Sequence, residues 1–382
     1  MTGSSSAPRR CFIVDGCAGA DLIAAMRGRD ARLQVVDSPR QADLLLVLEP
    51  VSDALTSAAA GAYRAMPRPR RIATTGRTDP SRADEVIDRL VRSDALTDER
   101  DIASEIEPFT VPLPPKEERE IATELAVIAL GPLQKMTAGP LRIILVCDGE
   151  QVVRADVQRG FAARGLAARM RGRPLGEATE LARLIAPLSP VASEAAFARA
   201  VGRGDGDDDA IAIERARSHM WWTERFATLM GIEWLARAAR SIAGAPTFSS
   251  AGVEGLLRRV EGDRLMRIRF RGVGRIGASL LEERGVTGPV LDASKHGHGD
   301  VLARLLTRLR EAAAADSALV RTARGDLVVE ATHDGQRLLD LTWRAPSAPL
   351  IDLIPELVRD QKLADAEAII ASLDIATAEV DG

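Results

Sequence analysis

The chain has 382 residues, 51 Lys and Arg against 55 Asp and Glu, and 46% hydrophobic residues. That length and balance predict a folded protein of two or three domains, and a net charge of −4 excludes a nucleic-acid binder held by a global positive field. Three cysteines exclude a disulfide framework and point to a reducing compartment, and aromatics at 3%, with Tyr63 the single tyrosine, leave little for a stacking site.

No apolar stretch follows Met1–Arg10 that would serve as a signal peptide. The longest apolar run, Leu44 to Leu48, is the length of a strand and far short of the roughly 18 residues of a membrane span. The first segment alternates strands and helices. Cys11 to Asp15, Leu33 to Val36, Leu44 to Leu48 and Arg71 to Thr75 read as strands, with helices over Asp21 to Arg29 and Ala54 to Met66. Such alternation predicts a parallel sheet covered by helices, with functional loops after the strand ends at Gly16–Asp21, Glu49–Ser52 and Gly76–Pro80. Residues 93–118, rich in charge and in Pro108, Pro112, Pro114 and Pro115, form a connector and the domain boundary.

Beyond it, Asp148-Gly149-Glu150 between Leu141–Val146 and Gln151–Ala155 predicts a hairpin. Helices are expected at Glu177–Ile185, Ala192–Val201, Ala210–Met230, Glu233–Ile242, Val301–Ala313 and Leu350–Leu373. Short strands are expected at Leu265–Phe270, Leu327–Glu330 and Arg337–Thr342.

Few motifs carry chemistry. Gly272-Val-Gly274-Arg-Ile-Gly277 matches G-x-G-x-x-G after an expected strand, with Asp292 downstream, and makes NAD binding at Gly272–Gly277 one reading. The helix after it is short for a crossover, which favours a tight turn. Asp205-Gly-Asp207-Asp208-Asp209 resembles the start of a calcium loop, but Ala210 and Ala216 occupy its glycine and glutamate positions. His296 and His298 lack a third metal ligand nearby, and His219, beside Trp221 and Trp222, reads as a core or interface histidine. Cys11 and Cys17 flank the first strand–helix turn, and two thiolates do not close a four-ligand cluster. No Ser–His–Asp grouping, P-loop or HExxH appears.

Cys11-Phe-Ile-Val-Asp15-Gly-Cys17-Ala-Gly-Ala20-Asp21, Ser38 to Val47, and Tyr63 to Gly76 with Met66-Pro67 and Pro69 follow one another in the order found in a known family. This part resembles the small subunit of nickel–iron hydrogenases and its respiratory complex I relative. Gly131-Pro132 through Gly139-Pro-Leu141-Arg142, Asp148-Gly149-Glu150, Arg159 to Gly165, Ser218 to Trp222, Gly288 to Leu291, Arg344 to Ser347 and Leu363 to Asp374 resemble the hydrogenase large subunit and the complex I subunit that shapes the quinone pocket. The resemblance implies a flavodoxin-like parallel-sheet domain over residues 1–118, connector included, and an α+β, mainly helical domain over 119–382, fused in one chain.

The family would imply a four-iron cluster, nickel in the hydrogenases, and quinone in complex I. Cys17 matches the first cluster ligand, but Ala20, Thr78 and Val111–Pro115 stand where the other cysteines fall. The nickel-binding Cys-x-x-Cys falls on Ala186–Ala192, and the C-terminal Cys pair on Ser372-Leu-Asp374-Ile-Ala376. The quinone loop falls on Gly131–Gly139, with Gln134 and Ala138 where the family has His, and its Tyr falls near Pro187. Cys17 is therefore a residual cluster-turn cysteine, and Gln134 and Lys135 are the remnants of a quinone loop.

The expected function is a peripheral connecting-module subunit of a complex I-like or membrane-bound hydrogenase-like assembly, on the cytoplasmic face of the cell membrane. Its expected partners are the other subunits, membrane antiporter-like ones among them, and no nucleic acid. With the ligands lost, the expected role is structural, with no catalytic or metal-binding residue. The enzyme alternative is an active quinone-binding oxidoreductase subunit using Gln134, Lys135 and the loop near Ser189.

Overall fold

In a computed structural model, the residues described are 9–15, 33–36, 38–48, 51–74, 125–204 and 206–381. The chain divides into two compact units. One comprises Met1–Glu120 with Arg159–Arg164 and Asp381, the other Ile121–Gln158 with Gly165–Val380.

In the first unit, β1 (Arg9–Asp15), β2 (Leu33–Val35), β3 (Leu44–Leu48) and β4 (Arg71–Thr74) form one sheet in the order β2-β1-β3-β4, every pair parallel. All five residues of β3 are buried, as expected where both faces of a parallel sheet are covered. Helix α1 (Asp53–Ala65) starts where Ser52 accepts the Leu55 amide at 3.2 Å. It ends before Pro67, which cannot supply the next amide. Arg70 then donates to the Tyr63 and Arg64 carbonyls at 3.0 Å each, satisfying the acceptors a helix end leaves open. The expected helix at 21–29, Cys17 and its turn, Thr78 and the 93–118 connector lie outside the described residues.

The second unit opens with an antiparallel sheet of β5 (Ala126–Leu130), β6 (Arg142–Asp148) and β7 (Gln151–Gln158). The β6–β7 hairpin turns as expected through Gly149, whose φ of +55° is the left-handed conformation that turn needs. There follow α2 (Leu166–Met170), α3 (Leu175–Ala182), α4 (Pro190–Ala200), α5 (Asp208–Leu229), α6 (Glu233–Ala243), α7 (Ser250–Gly262), α8 (Arg264–Phe270), α9 (Ala278–Glu283), α10 (Pro289–Lys295) and α11 (Val301–Ala314). The hairpin β8 (Val328–His333) and β9 (Leu338–Arg344) precedes α12 (Ser347–Val358), α13 (Leu363–Ser372) and α14 (Ala378–Asp381). The main core joins Trp222, Phe226 and Phe270 (ring centroids 5.2 and 5.5 Å apart in sequence) with Leu305, Leu309, Leu353 and Ile369. A second core joins Phe197 and Leu175 with Leu338 and Leu341 of β9.

Two expectations are corrected. Residues 265–270 are the helix α8 rather than a strand. The alternation Met266-Arg-Ile268-Arg-Phe270 imitates a strand. Asp263, however, accepts the Leu265 and Met266 amides at 2.8 and 3.1 Å, which starts a helix that buries Met266 and Phe270 one turn apart. The single helix expected over 350–373 is two. Between them Asp360 takes a positive φ of 61°, and its amide donates to the Val152 carbonyl at 2.8 Å while the Leu363 amide reaches Glu150 at 2.7 Å. Pairing with the β6–β7 hairpin outcompetes helix continuation there. Neither α7 nor β5 was expected. No helix among the described residues is long and apolar enough to cross a membrane.

Candidate functional site

The loop between β5 and β6 carries Gln134 and Lys135. Gly131 enters it at φ +93°, where any Cβ would lie 2.1 Å from the Leu141 carbonyl oxygen, so the backbone itself requires glycine. Gln134 Oε1 accepts the Met136 and Thr137 amides at 2.5 and 3.2 Å, and its Nε2 donates to Thr137 Oγ1. The side chain is thus used in folding its own loop. The Ala138 amide then donates to the Ile375 carbonyl at 2.7 Å, and the Thr377 amide to the Ala138 carbonyl at 3.0 Å. The fold therefore brings together two stretches singled out in the sequence: the 131–139 loop lies against the 372–376 segment.

That C-terminal segment is held by ions. Asp374 is fully buried and in the left-handed conformation (φ 55°). Its Oδ1 accepts from Arg225 Nη2 of α5 at 2.8 Å and from Arg324 Nη2 at 3.2 Å. Two residues earlier, Ser372 Oγ accepts from Arg304 Nη1 of α11 at 2.7 Å. Arg304 Nη2 caps the Gly274 and Gly299 carbonyls at 2.5 and 2.9 Å. One turn on, Arg308 donates to the Leu373 carbonyl at 3.1 Å and lies over the Trp222 ring, 4.4 Å from its centroid. Trp222 Nε1 donates to the Ala371 carbonyl at 3.0 Å.

The network extends along α5 and α11. Glu311 accepts from Arg321 at 2.6 Å and lies 3.1 Å from His219 Nε2, and Arg321 also meets Asp292 at 2.5 Å. Arg215 Nη2 donates to the Asp316 carbonyl at 2.7 Å. Burial raises the Asp374 and Glu311 carboxyls, but their guanidinium partners, with the His219 hydrogen bond at Glu311, outweigh it. Asp374 is held below the usual carboxylate range and Glu311 at about 2. Burial also lowers His219 against the pull of Glu311, and lowers Arg304 to about 9 with help from Arg308. Both remain, respectively, a neutral imidazole and a guanidinium cation at neutral pH.

A metal does not fit this arrangement. Ser372 and Asp374, in the stretch where the resemblance would put the hydrogenase C-terminal cysteines, are each engaged by an arginine. A divalent cation placed against them would face Arg225, Arg304 and Arg324 at close range, with the repulsion undamped by water. At the start of α4, where the resemblance would put the upstream nickel ligands, the Val191 and Ala192 amides donate to Glu214 at 2.8 and 3.0 Å, and next to them Ser193 Oγ donates to the Ala182 carbonyl at 2.6 Å. These residues cap and pack α4; none is a thiolate. Among the described residues no group of three His, Cys, Asp or Glu is placed to hold a metal ion. Cys11 sits at the centre of β1, and burial, aided by Asp43, raises its thiol to about 12, which keeps it from serving as a thiolate.

The glycine motif resolves as a packing turn. Helix α8, not a strand, precedes it, so no βα phosphate turn exists there. The Gly272 amide donates to Asp300 at 2.8 Å, and a Cβ on Gly274 would lie 2.6 Å from Ile369 of α13. A protein carboxylate occupies the donor that a pyrophosphate would need, and Asp292 is paired with Arg321. The acidic loop also has a local use: Asp207 caps α5 by accepting the Ala210 amide at 3.0 Å. His296 and His298 are exposed.

No family model matches the sequence, and no curated protein matches it either. Solved structures do match in fold. One is a chain of the membrane-bound sulfane sulfur reductase, an archaeal respiratory membrane complex, with a TM-score of 0.59 and 19% identity. The match covers 69% of this chain and 100% of that one. What the two share is a fold.

Proposed function

We propose that this chain is a connecting subunit of a complex I-like or membrane-bound hydrogenase-like respiratory assembly, in which it serves as framework rather than as a redox centre. In this reading residues 1–118 are a flavodoxin-like, small-subunit-like domain and residues 119–382 a large-subunit-like domain. Its partners are the other subunits, membrane antiporter-like ones included, and it sits peripherally on the cytoplasmic face of the membrane. The fold shared along the whole length of a respiratory-complex chain supports membership. The observation that carries the framework role is the Arg225–Asp374–Arg324 bridge with Arg304 on Ser372. In this reading it fills with fixed charge the stretch that the resemblance aligns with the nickel thiolates.

Affinity isolation of the tagged full chain from native membranes tests both halves of the reading. The expected result is co-isolation of membrane subunits in fixed stoichiometry, with no reducible iron–sulfur signal assignable to this chain and no change in quinone reduction on Gln134→Ala or Lys135→Ala. A cluster signal lost on Cys17→Ser, or quinone turnover lost on Gln134→Ala in a chain that keeps its wild-type melting curve, establishes the enzyme reading instead. A chain recovered alone overturns membership.

A further inference from the structure

Helix α8 presents an apolar pair that the chain itself does not cover. Leu265 is 77% exposed and Ile268 69%, above any other large apolar side chain noted on the described surface. They lie three residues apart and so on one face, while Met266 and Phe270 anchor the opposite face in the core.

Its charge is one-sided as well. Some exposed arginines in this unit meet carboxylates, Arg171 with Asp340 at 2.6 Å, Arg310 with Glu261 at 2.8 Å and Arg284 with Glu356 at 3.2 Å, and others, Arg203, Arg344 and Arg359, meet none among the described residues. Arg264, Arg271 and Arg275 are exposed, and among the described residues none of them meets a carboxylate within 4 Å. Arg264 lies one turn before Ile268 and Arg271 about one turn after it, so the apolar pair is flanked by cations, and it calls for an occupant that is apolar at its centre and acidic at its edge.

We infer that α8 is a docking anchor for another protein subunit: Leu265 and Ile268 seat in an apolar slot whose rim carries Asp or Glu side chains opposite Arg264, Arg271 and Arg275. The partner is a protein rather than a lipid surface for two reasons. A seven-residue helix is only about 10 Å long and shows no exposed aromatic or lysine, whereas helices lying in a membrane interface are longer and rich in both. Arginine's planar fork instead matches carboxylates two bonds at a time. The helix is already ordered by its Asp263 cap and buried side, so docking adds little ordering cost. This inference rests on the chain being a subunit of an assembly, and it names the chemistry of one partner.

The test uses the full chain in the isolated complex. A photo-crosslinking benzoylphenylalanine at position 265 is expected to link to a partner peptide flanked by Asp or Glu, while the same probe at position 339, half exposed on β9, does not. Leu265→Ser with Ile268→Ser is expected to weaken recovery of that partner by about thirtyfold, as loss of a central apolar anchor does. Arg271→Glu with Arg275→Glu is expected to weaken it and to change its salt dependence. Both variants keep the wild-type melting curve, because the replaced side chains are exposed. The inference is overturned if the complex forms and neither variant changes recovery. It is equally overturned if the probe at 265 links only to lipid, or if the chain binds phosphatidylglycerol vesicles through Leu265 and Ile268. Those outcomes leave assembly membership standing; a wild-type chain that co-isolates with nothing removes membership and this surface together.

Discussion

The centre of the first unit and the centre of the second are built from opposite materials. Around β3 the interior is aliphatic: Leu44 to Leu48 are buried side by side, and even the thiol of Cys11 is held neutral. Around Asp374 the interior is ionic, with Arg304 and Arg308 fully buried and Arg324 nearly so. Aliphatic packing stabilises in proportion to the apolar surface removed from water and has no partner to lose. An ionic centre contributes little net stability, because desolvation offsets the attraction, yet deleting one member is severe. It does fix one arrangement of its backbone, since each guanidinium is satisfied only when the 372–374 segment, Gly274 and Gly299 stand where they do.

The sharpest break of the contrast is Asp374→Ala. It leaves Arg225 and Arg324 beside Arg308 without the carboxylate to which both are hydrogen-bonded, and the expected cost is about 3 to 5 kcal/mol. Trp221, Trp222, Trp234 and Trp343 all lie in the second unit, so urea unfolding followed by tryptophan fluorescence reads this change without interference from the first. A loss below 1 kcal/mol would show that water, rather than ion pairing, satisfies the centre.

Leu46→Ala is the matching change in the aliphatic centre. Removing a fully buried leucine from the sheet is expected to cost about 3 kcal/mol, the transfer loss plus the cavity it leaves. Hydrogen exchange of the peptides covering 9–15 and 44–48 should accelerate, with the tryptophan signal of the second unit unmoved. If exchange in both units quickens together, the two centres are energetically one.

The two centres also differ in how visible they were in the sequence. Strands β1, β3 and β4 and helix α1 announce themselves as apolar runs bounded by Pro, Gly and a capping serine, and parallel pairing follows from their alternation. The ionic centre is scattered over α5, α11 and the 321–324 turn, and arginine in a helix ordinarily reads as a solvated face. One signal was available. Arg304 and Arg308 fall in register with Val301, Leu305, Leu309 and Ala312, on the apolar stripe of α11 rather than opposite it. That Gln134 uses its side chain to fold its own loop is a matter of side-chain rotamers that no spacing reveals. The helix at 264–270 was hidden by a strand-like alternation that only the Asp263 cap contradicts.

Acid is expected to separate the centres more gently. Glu311 and Asp374 have folded values below their ordinary ones, so the stability they contribute is present above about pH 4.5 and is lost as pH falls toward about 2. His219 is held neutral by burial, so the unfolded chain protonates first and loss begins as pH falls below 6.5. Urea midpoints read by tryptophan fluorescence should decline from pH 7 to pH 4, and His219→Gln should flatten the upper part of that decline. A flat wild-type profile would mean the imidazole is charged in the folded state.

The smallest effect is the most discriminating. Arg310 lies on α11 two residues beyond Arg308, on the opposite side of the helix, paired with Glu261 at 2.8 Å with both side chains about half exposed. The residue type, helix and kind of partner match those of the buried network; what differs is access to water. Exposed pairs exchange hydration for attraction nearly evenly, so Arg310→Ala should shift stability by about 0.5 kcal/mol or less, measured by the same fluorescence titration. A cost comparable to that of Asp374→Ala would mean that the charge pattern of α11, and not its burial, sets the energetics, and the distinction between the ionic centre and an ordinary salt-bridged surface would dissolve.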